Sequence, residues 1–201
     1  MAKNRVRDRD AKIGSILEAT KELIERNGYE GVKARDIARK AGVSVGLIYK
    51  YFPKGKLDII KELGHRYIDG QLMMGQPGAI DFSDFPGYIR SVIKNMLAFQ
   101  KSSAALVKAL TVAALLEDGL VEDIKAIDKK DYEGIAEFFC AFRGVNISDK
   151  DPAEVLTLWS TTIKSIILYS VLFPALFNDE EYLCDILVRL SLEIWGYERQ
   201  N

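Results

Sequence analysis

Few residues in this 201-residue chain have the chemistry to make or break bonds. His65 is the only histidine, and the two cysteines, Cys140 and Cys184, are far apart with neither in a Cys-x-x-Cys pair. That removes zinc sites of the usual ligand spacing, and any nucleophile–histidine pairing that needs a second histidine. Glu117 and Asp118 are adjacent carboxylates, which read more simply as a helix end than as an acid–base pair, and no convergent catalytic set stands out. The expectation is therefore no enzyme, no metal and no cofactor. What the chain does have is charge in one place. Residues 1–56 carry 14 Lys/Arg against 7 Asp/Glu, while the remainder carries 14 against 22, so a basic end sits on an acidic body. Such an asymmetry suits contact with a polyanion. Inside the basic end lies "AGVSVGLIYKYF", residues 41–52. It mixes two glycines, a serine, two tyrosines and a lysine with Val43, Leu47, Ile48 and Phe52, so it needs both a buried side and an exposed, hydrogen-bonding side.

The elements that must hold these residues all read with helical period. Ile13, Ile16, Leu17, Thr20, Leu23 and Ile24 form one stripe, ended at Asn27-Gly28, where glycine takes the left-handed conformation after the last turn. Residues 35–40 make a short second helix that Gly42 ends, and 45–51 a third, with Ser44 as its cap. A long fourth helix covers about 56–74, broken at Gly75-Gln76-Pro77-Gly78. Further helical patterns cover about 86–101, 103–117 and 120–143, with Asp84 capping the first of them and Pro86 in its first turn. Asp151-Pro152 opens a helix to about Phe173, and Asn178-Asp179-Glu180-Glu181 opens the last, ending near Tyr197. No strand pattern appears. The fold class expected is all-α with about nine helices: an N-terminal three-helix helix-turn-helix domain over 1–55 and a C-terminal helical domain for ligand binding and dimerisation over 56–201.

A helix of seven residues is too short to stand alone. Leu47, Ile48 and Phe52 are expected to pin it to the first helix, with Gly42 turning the chain and Val43 plugging the turn. This is the pattern of a helix-turn-helix, in which the second helix keeps one face on the core and lays the other in the major groove. Over about residues 12–60 the sequence resembles the TetR family of regulators. The resemblance runs through Ile16-Leu17-Glu18-Ala19, Asn27-Gly28-Tyr29, Asp36-Ile37-Ala38, residues 41–46, residues 48–52 and the following Pro53-Lys54-Gly55-Lys56. It departs from the family at Val32-Lys33, where a Thr or Ser usually precedes the second helix, so a hydroxyl cap is lost and a charge gained.

The resemblance implies roles. Arg35 reaches a guanine edge or a phosphate. Ser44, Val45, Gly46 and Leu47 lie at the entry of the recognition helix, with Val45 placed to meet a thymine methyl and Gly46 allowing close backbone approach. Tyr49 and Tyr51 offer hydroxyls to phosphates, Lys50 faces outward, Lys33 and Lys54 add charge, and Lys56 points at the backbone from the start of the fourth helix. Lys3, Arg5, Arg7 and Arg9, alternating with Asp8 and Asp10, read as a disordered tail, with a minor-groove arm as the alternative.

For the C-terminal domain the resemblance implies a homodimer through the last two helices. The residues allow it: Tyr182, Leu183, Ile186, Leu187, Leu190 and Ile194 form a broad stripe, and residues 155–173 are apolar nearly all round. Lys164 interrupts that helix one turn after Ser160. It either reaches the surface or an interface partner, or faces a pocket. Tyr67, Phe99, Phe138, Phe142 and Trp159 would suit an apolar effector, with Ser160 and Lys164 for an acidic head group, although most of these aromatics are expected in the core. The partners expected are double-stranded operator DNA, a second copy of the chain and a small-molecule effector. The charged N-terminus is unlike a signal peptide, and the uncharged run 165–178 is too short to span a bilayer, so no membrane and a cytoplasmic location are expected. The function expected is a ligand-responsive DNA-binding regulator, most simply a repressor on a palindromic operator. The alternative is a small-molecule carrier whose DNA-binding domain is vestigial.

Overall fold

Side-chain caps start several of the helices, at Ser44, Asp84, Asp151 and Asp179, whereas Ser103 at another helix start makes no such bond. In the computed structural model, which describes residues 2–73, 80–118, 120 and 129–198, the chain forms nine α-helices and no strand among the described residues. They are α1 (Ala2–Asn27), α2 (Ala34–Ala41), α3 (Val45–Tyr51), α4 (Lys56–Met73), α5 (Phe85–Ser102), α6 (Ala104–Leu116), α7 (Lys129–Cys140), α8 (Pro152–Leu172) and α9 (Glu180–Ile194). The Asp84 carboxylate accepts from Gly87 N at 2.9 Å, Asp151 from Ala153 N at 2.9 Å and Asp179 from Tyr182 N at 2.9 Å. Each satisfies a backbone donor that the first turn of a helix leaves free. Pro174 ends α8 and opens a short 3-10 turn, Pro174–Leu176. The glycine-proline break expected at 75–78 and most of the first half of the helix expected over 120–143 lie outside the described residues.

One expectation is corrected at the N-terminus. Residues 2–12 are not a tail; α1 runs continuously from Ala2. Lys, Arg and Ala are good helix formers, and Asp8 and Lys12 form an i,i+4 ion pair at 2.8 Å, so charge alternation here supports a helix.

The chain divides into two compact units. The first is Met1–Asp69 with Ser103–Ala126, the second Gly70–Ser102 with Ile127–Asn201. In the first, Ile16, Leu17 and Ile24 of α1 pack with Ile37 and Ala38 of α2, Ile48 of α3, and Ile59, Ile60 and Leu63 of α4. Leu106, Ala109 and Ala113 bring α6 into the same core. In the second, Ile89 and Ile93 of α5, Phe139 of α7, Trp159 and Ile163 of α8, and Leu187 and Val188 of α9 share a core with the fully buried Trp195. Arg90 and Lys94 of α5 meet Asp185 and Glu181 of α9 at 2.6 and 2.8 Å, lacing the solvent edge of that helix pair.

By length and composition α8 could cross a bilayer. Its face Val155, Trp159, Ile163 and Ile167 is instead buried in the second core. Its other face is open in the single chain. Leu158 and Tyr169 of α8, Leu176 after it, and Tyr182 of α9 are 59%, 55%, 70% and 63% exposed.

Candidate nucleic-acid interface

The turn between α2 and α3 is made by Gly42, whose φ of 67° is left-handed and whose N–H returns to the end of α2. Ser44 is extended, and its hydroxyl accepts from Leu47 N at 3.1 Å, so the first turn of α3 is capped by its own preceding residue. Ile48 is fully buried and Phe52 nearly so, and these two pin the seven-residue helix. Leu47, expected to share that task, is half-buried and outside the apolar cluster. The opposite face of α3 carries Val45, Gly46, Tyr49 and Lys50, all exposed. A Cβ placed on Gly46 would meet nothing closer than Ser44 Oγ at 4.0 Å, so the fold itself makes no demand for glycine there. Gly55 is different. It has a φ of 62°, and a Cβ on it would stand 3.1 Å from Tyr49 Cε1. Glycine there lets the loop after α3 close over the Tyr49 ring, while Tyr49 as a whole stays half exposed.

The charges divide into paired and unpaired sets. Lys12 pairs with Asp8, Arg39 with Asp36 and Lys40 with Glu22. Arg35 makes no ion pair with Asp36 or Glu30 among the described residues: Arg39 holds Asp36 at 2.8 Å. Lys33, Arg35, Lys50 and Lys54 are exposed and without an ion pair among the described residues. The helix-turn-helix and the segments flanking it thus carry four exposed cations without an ion pair among the described residues. Lys33 precedes α2 in extended conformation with no side-chain cap, as its replacement of a hydroxyl residue predicts.

Lys56 is placed differently from the sequence expectation. Its Nζ donates to the Tyr29 carbonyl at 3.1 Å and sits 3.9 Å from the centroid of the Tyr29 ring. Burial lowers its pKa below the ordinary lysine range, and burial raises that of Tyr29. In this arrangement the Lys56 ammonium ties the start of α4 to the end of α1, and the contact with Tyr29 is one that sequence spacing alone does not reveal.

Residues 16–63 match the family described as "Bacterial regulatory proteins, tetR family". Residues 16–63 thus form a TetR-family helix-turn-helix domain. The HTH-type transcriptional repressor KstR of Mycolicibacterium smegmatis is 38% identical over 52 residues, 26% of each chain. The KstR of Rhodococcus jostii is 50% identical over 38 residues, 19% of this chain and 18% of that one. The match thus spans about a quarter or less of the length of these curated relatives. Solved structures extend the likeness in fold. A TetR-family transcriptional regulator from Streptomyces coelicolor superposes with a TM-score of 0.63 at 18% identity, over 92% of this chain and 98% of that one. One from Haemophilus influenzae gives 0.59 at 20% identity, over 94% and 99%.

Outside this TetR helix-turn-helix, the seven residues expected around an effector separate. Tyr67 packs on the first core. Phe99 is half-buried on α5. Phe138, Phe142 and Trp159 belong to the aromatic cluster of the second unit, where Phe138 and Phe142 meet edge to face at 5.5 Å and Trp159 lies 5.1 Å from Phe139. Trp159 Nε1 donates to Ser191 Oγ at 2.8 Å, so its one polar atom is already used in the core. Ser160 and Lys164 are the polar members. Tyr132 Oη donates to Thr157 Oγ1 at 3.1 Å and lies 3.2 Å from Ser160 Oγ. Lys164, half-buried one turn on, has no ion-pair partner among the described residues, and burial lowers its pKa. A cleft of about 540 Å³ between α7 and α8 is lined by Tyr132, Glu133, Ala153, Glu154, Thr157, Leu158 and Thr161. None of the seven expected residues lines it, and Ser160 reaches it only through Tyr132. The hydroxyls at 157, 160 and 161, set in an otherwise apolar helix, were the available signal for it.

Proposed function

We propose that this protein is a dimeric transcriptional repressor that binds a palindromic DNA operator and is released by a small-molecule effector. The observation that carries the reading is α3: a capped, pinned helix whose outer face is Val45, Gly46, Tyr49 and Lys50, with unpaired cations before and after it. Ser44 and Gly46 open the way for the helix N-terminus to approach the duplex, Val45 meets a base edge, and Tyr49, Lys50, Lys54 and Lys33 meet phosphates. Tyr51 and Arg35 complete the footprint. The KstR relatives are named as repressors, which favours repression here.

The exposed faces of α8 and α9 support dimerisation. Leu158, Tyr169, Tyr182 and Ile186 are apolar surface that a second copy would cover. Two recognition helices then lie about 34 Å apart, one turn of DNA. The effector acts by preferring one dimer geometry. It is apolar with an acidic head, which Lys164 and the Ser160–Tyr132 hydroxyls receive. Its entry tilts α4, and the Lys56–Tyr29 tie carries the start of α4 and the DNA-reading helices together, taking the two heads out of register.

A mobility-shift assay with the DNA upstream of the protein's own gene separates this reading from a carrier with a vestigial DNA-binding domain. A specific shift supports the repressor. Absence of any shift, with fatty acids raising the melting temperature, would favour the carrier.

A further inference from the structure

Arg9 stands where α1 leaves the core. The stripe that α1 buries continues outward through Ile16 and half-buried Ile13 to residue 9, and there the apolar pattern stops and a cation begins. The Arg9 guanidinium lies 5.9 Å from the centroid of the Tyr51 ring, at the C-terminal end of α3. Arg9 is exposed and has no ion pair among the described residues. Of its acidic neighbours, Asp8 is taken by Lys12 at 2.8 Å, and Asp10 is exposed on another side of the helix. The helical start of α1 therefore acts as a rigid arm that brings an unpaired guanidinium beside a tyrosine of the recognition helix.

We propose that Arg9, steadied on the Tyr51 ring, makes a DNA phosphate contact just outside the reach of α3. The inference rests on the DNA-binding reading above and extends it to an element outside the helix-turn-helix. A guanidinium held over an aromatic ring keeps its N–H fork free for phosphate oxygens and loses less freedom on binding than a free arginine does. The contact is to the backbone, so it adds affinity without adding sequence preference.

The test uses the full chain and a duplex selected from a random pool by the wild-type protein. Operator affinity is measured between 50 and 200 mM salt for wild type, Arg9→Gln and Arg7→Gln. Thermal melting of each variant confirms an intact fold. The operator-bound dimer loses two phosphate contacts, one per subunit, which makes the slope of log K against log salt shallower by about 1.8, so the wild-type advantage over Arg9→Gln shrinks about twelvefold across that range. Arg7→Gln, changed by the same charge elsewhere on the helix, should leave the slope near that of wild type. An unchanged slope for Arg9→Gln, or equal changes for both variants, would overturn the contact in favour of a diffuse field. Failure of the wild type to select any duplex would instead remove the DNA-binding reading beneath it.

Discussion

Gly46 concentrates the difference between folding and binding at a single residue. Space is open around it, so a side chain costs the fold nothing by contact, and alanine is the better helix former by about 1 kcal/mol. Gly46→Ala should therefore raise the denaturation midpoint while lowering operator affinity, and Gly46→Leu should keep the fold and bind worse still. A Gly46→Leu protein that unfolds, or that binds DNA as wild type does, would show that the glycine is not there for close approach. Lys164 gives a second residue-level prediction. Burial lowers its pKa below 10.5, so between the folded value and 10.5 the unfolded chain holds the proton more readily, and stability rises with pH across that window. Lys164→Met removes this dependence. The variant should be the more stable at neutral pH, with the gap narrowing as the pH approaches 10.5; denaturant titrations at several pH values would read it. A gap independent of pH would mean that the ammonium is solvated.

At the scale of the element, α2 starts without a cap, because Lys33 holds the N-cap position with no side-chain hydrogen bond. Lys33→Thr supplies the missing hydroxyl and should stabilise the protein by about 1 kcal/mol, read as a shift in the urea midpoint at constant m. No shift would mean that water already satisfies those donors. Element boundaries were largely legible in the sequence where chemistry marks them. Ser44 and Gly42 delimit α3, and Asp84, Asp151 and Asp179 each cap the helix they announce. The start of α1 was not legible in the same way. A run of alternating charges reads as solvated chain until its i,i+4 pairing and its Tyr51 contact are seen, and the second of these joins residues far apart in sequence. The same limit applies to the sites. Outward residues of α3 follow from helical period, whereas the inward turn of Lys56 onto Tyr29 and the Tyr132–Ser160 pairing depend on tertiary packing.

At the scale of the molecule, the apolar surface left on α8 and α9 is what the second copy in the proposed dimer would cover. Leu158→Glu combined with Ile186→Glu places charges on that surface, outside both cores. The doubly substituted protein should stay helical, sediment as a monomer and lose most operator affinity, since each half-site contact alone is weak. A dimer that persists would locate the subunit contact elsewhere. Basic and acidic residues are divided between the ends of the chain, so salt should weaken DNA binding steeply while sparing self-association.

Selection of bound duplexes from a random pool, followed by sequencing, tests the central claim most directly. The account predicts an enriched palindrome with half-sites about one helical turn apart, and loss of that enrichment when Tyr49 and Lys50 on the outer face of α3 are both replaced by alanine. A pool that stays unenriched with wild type, or a palindrome still selected by the Tyr49/Lys50 double variant, would contradict it.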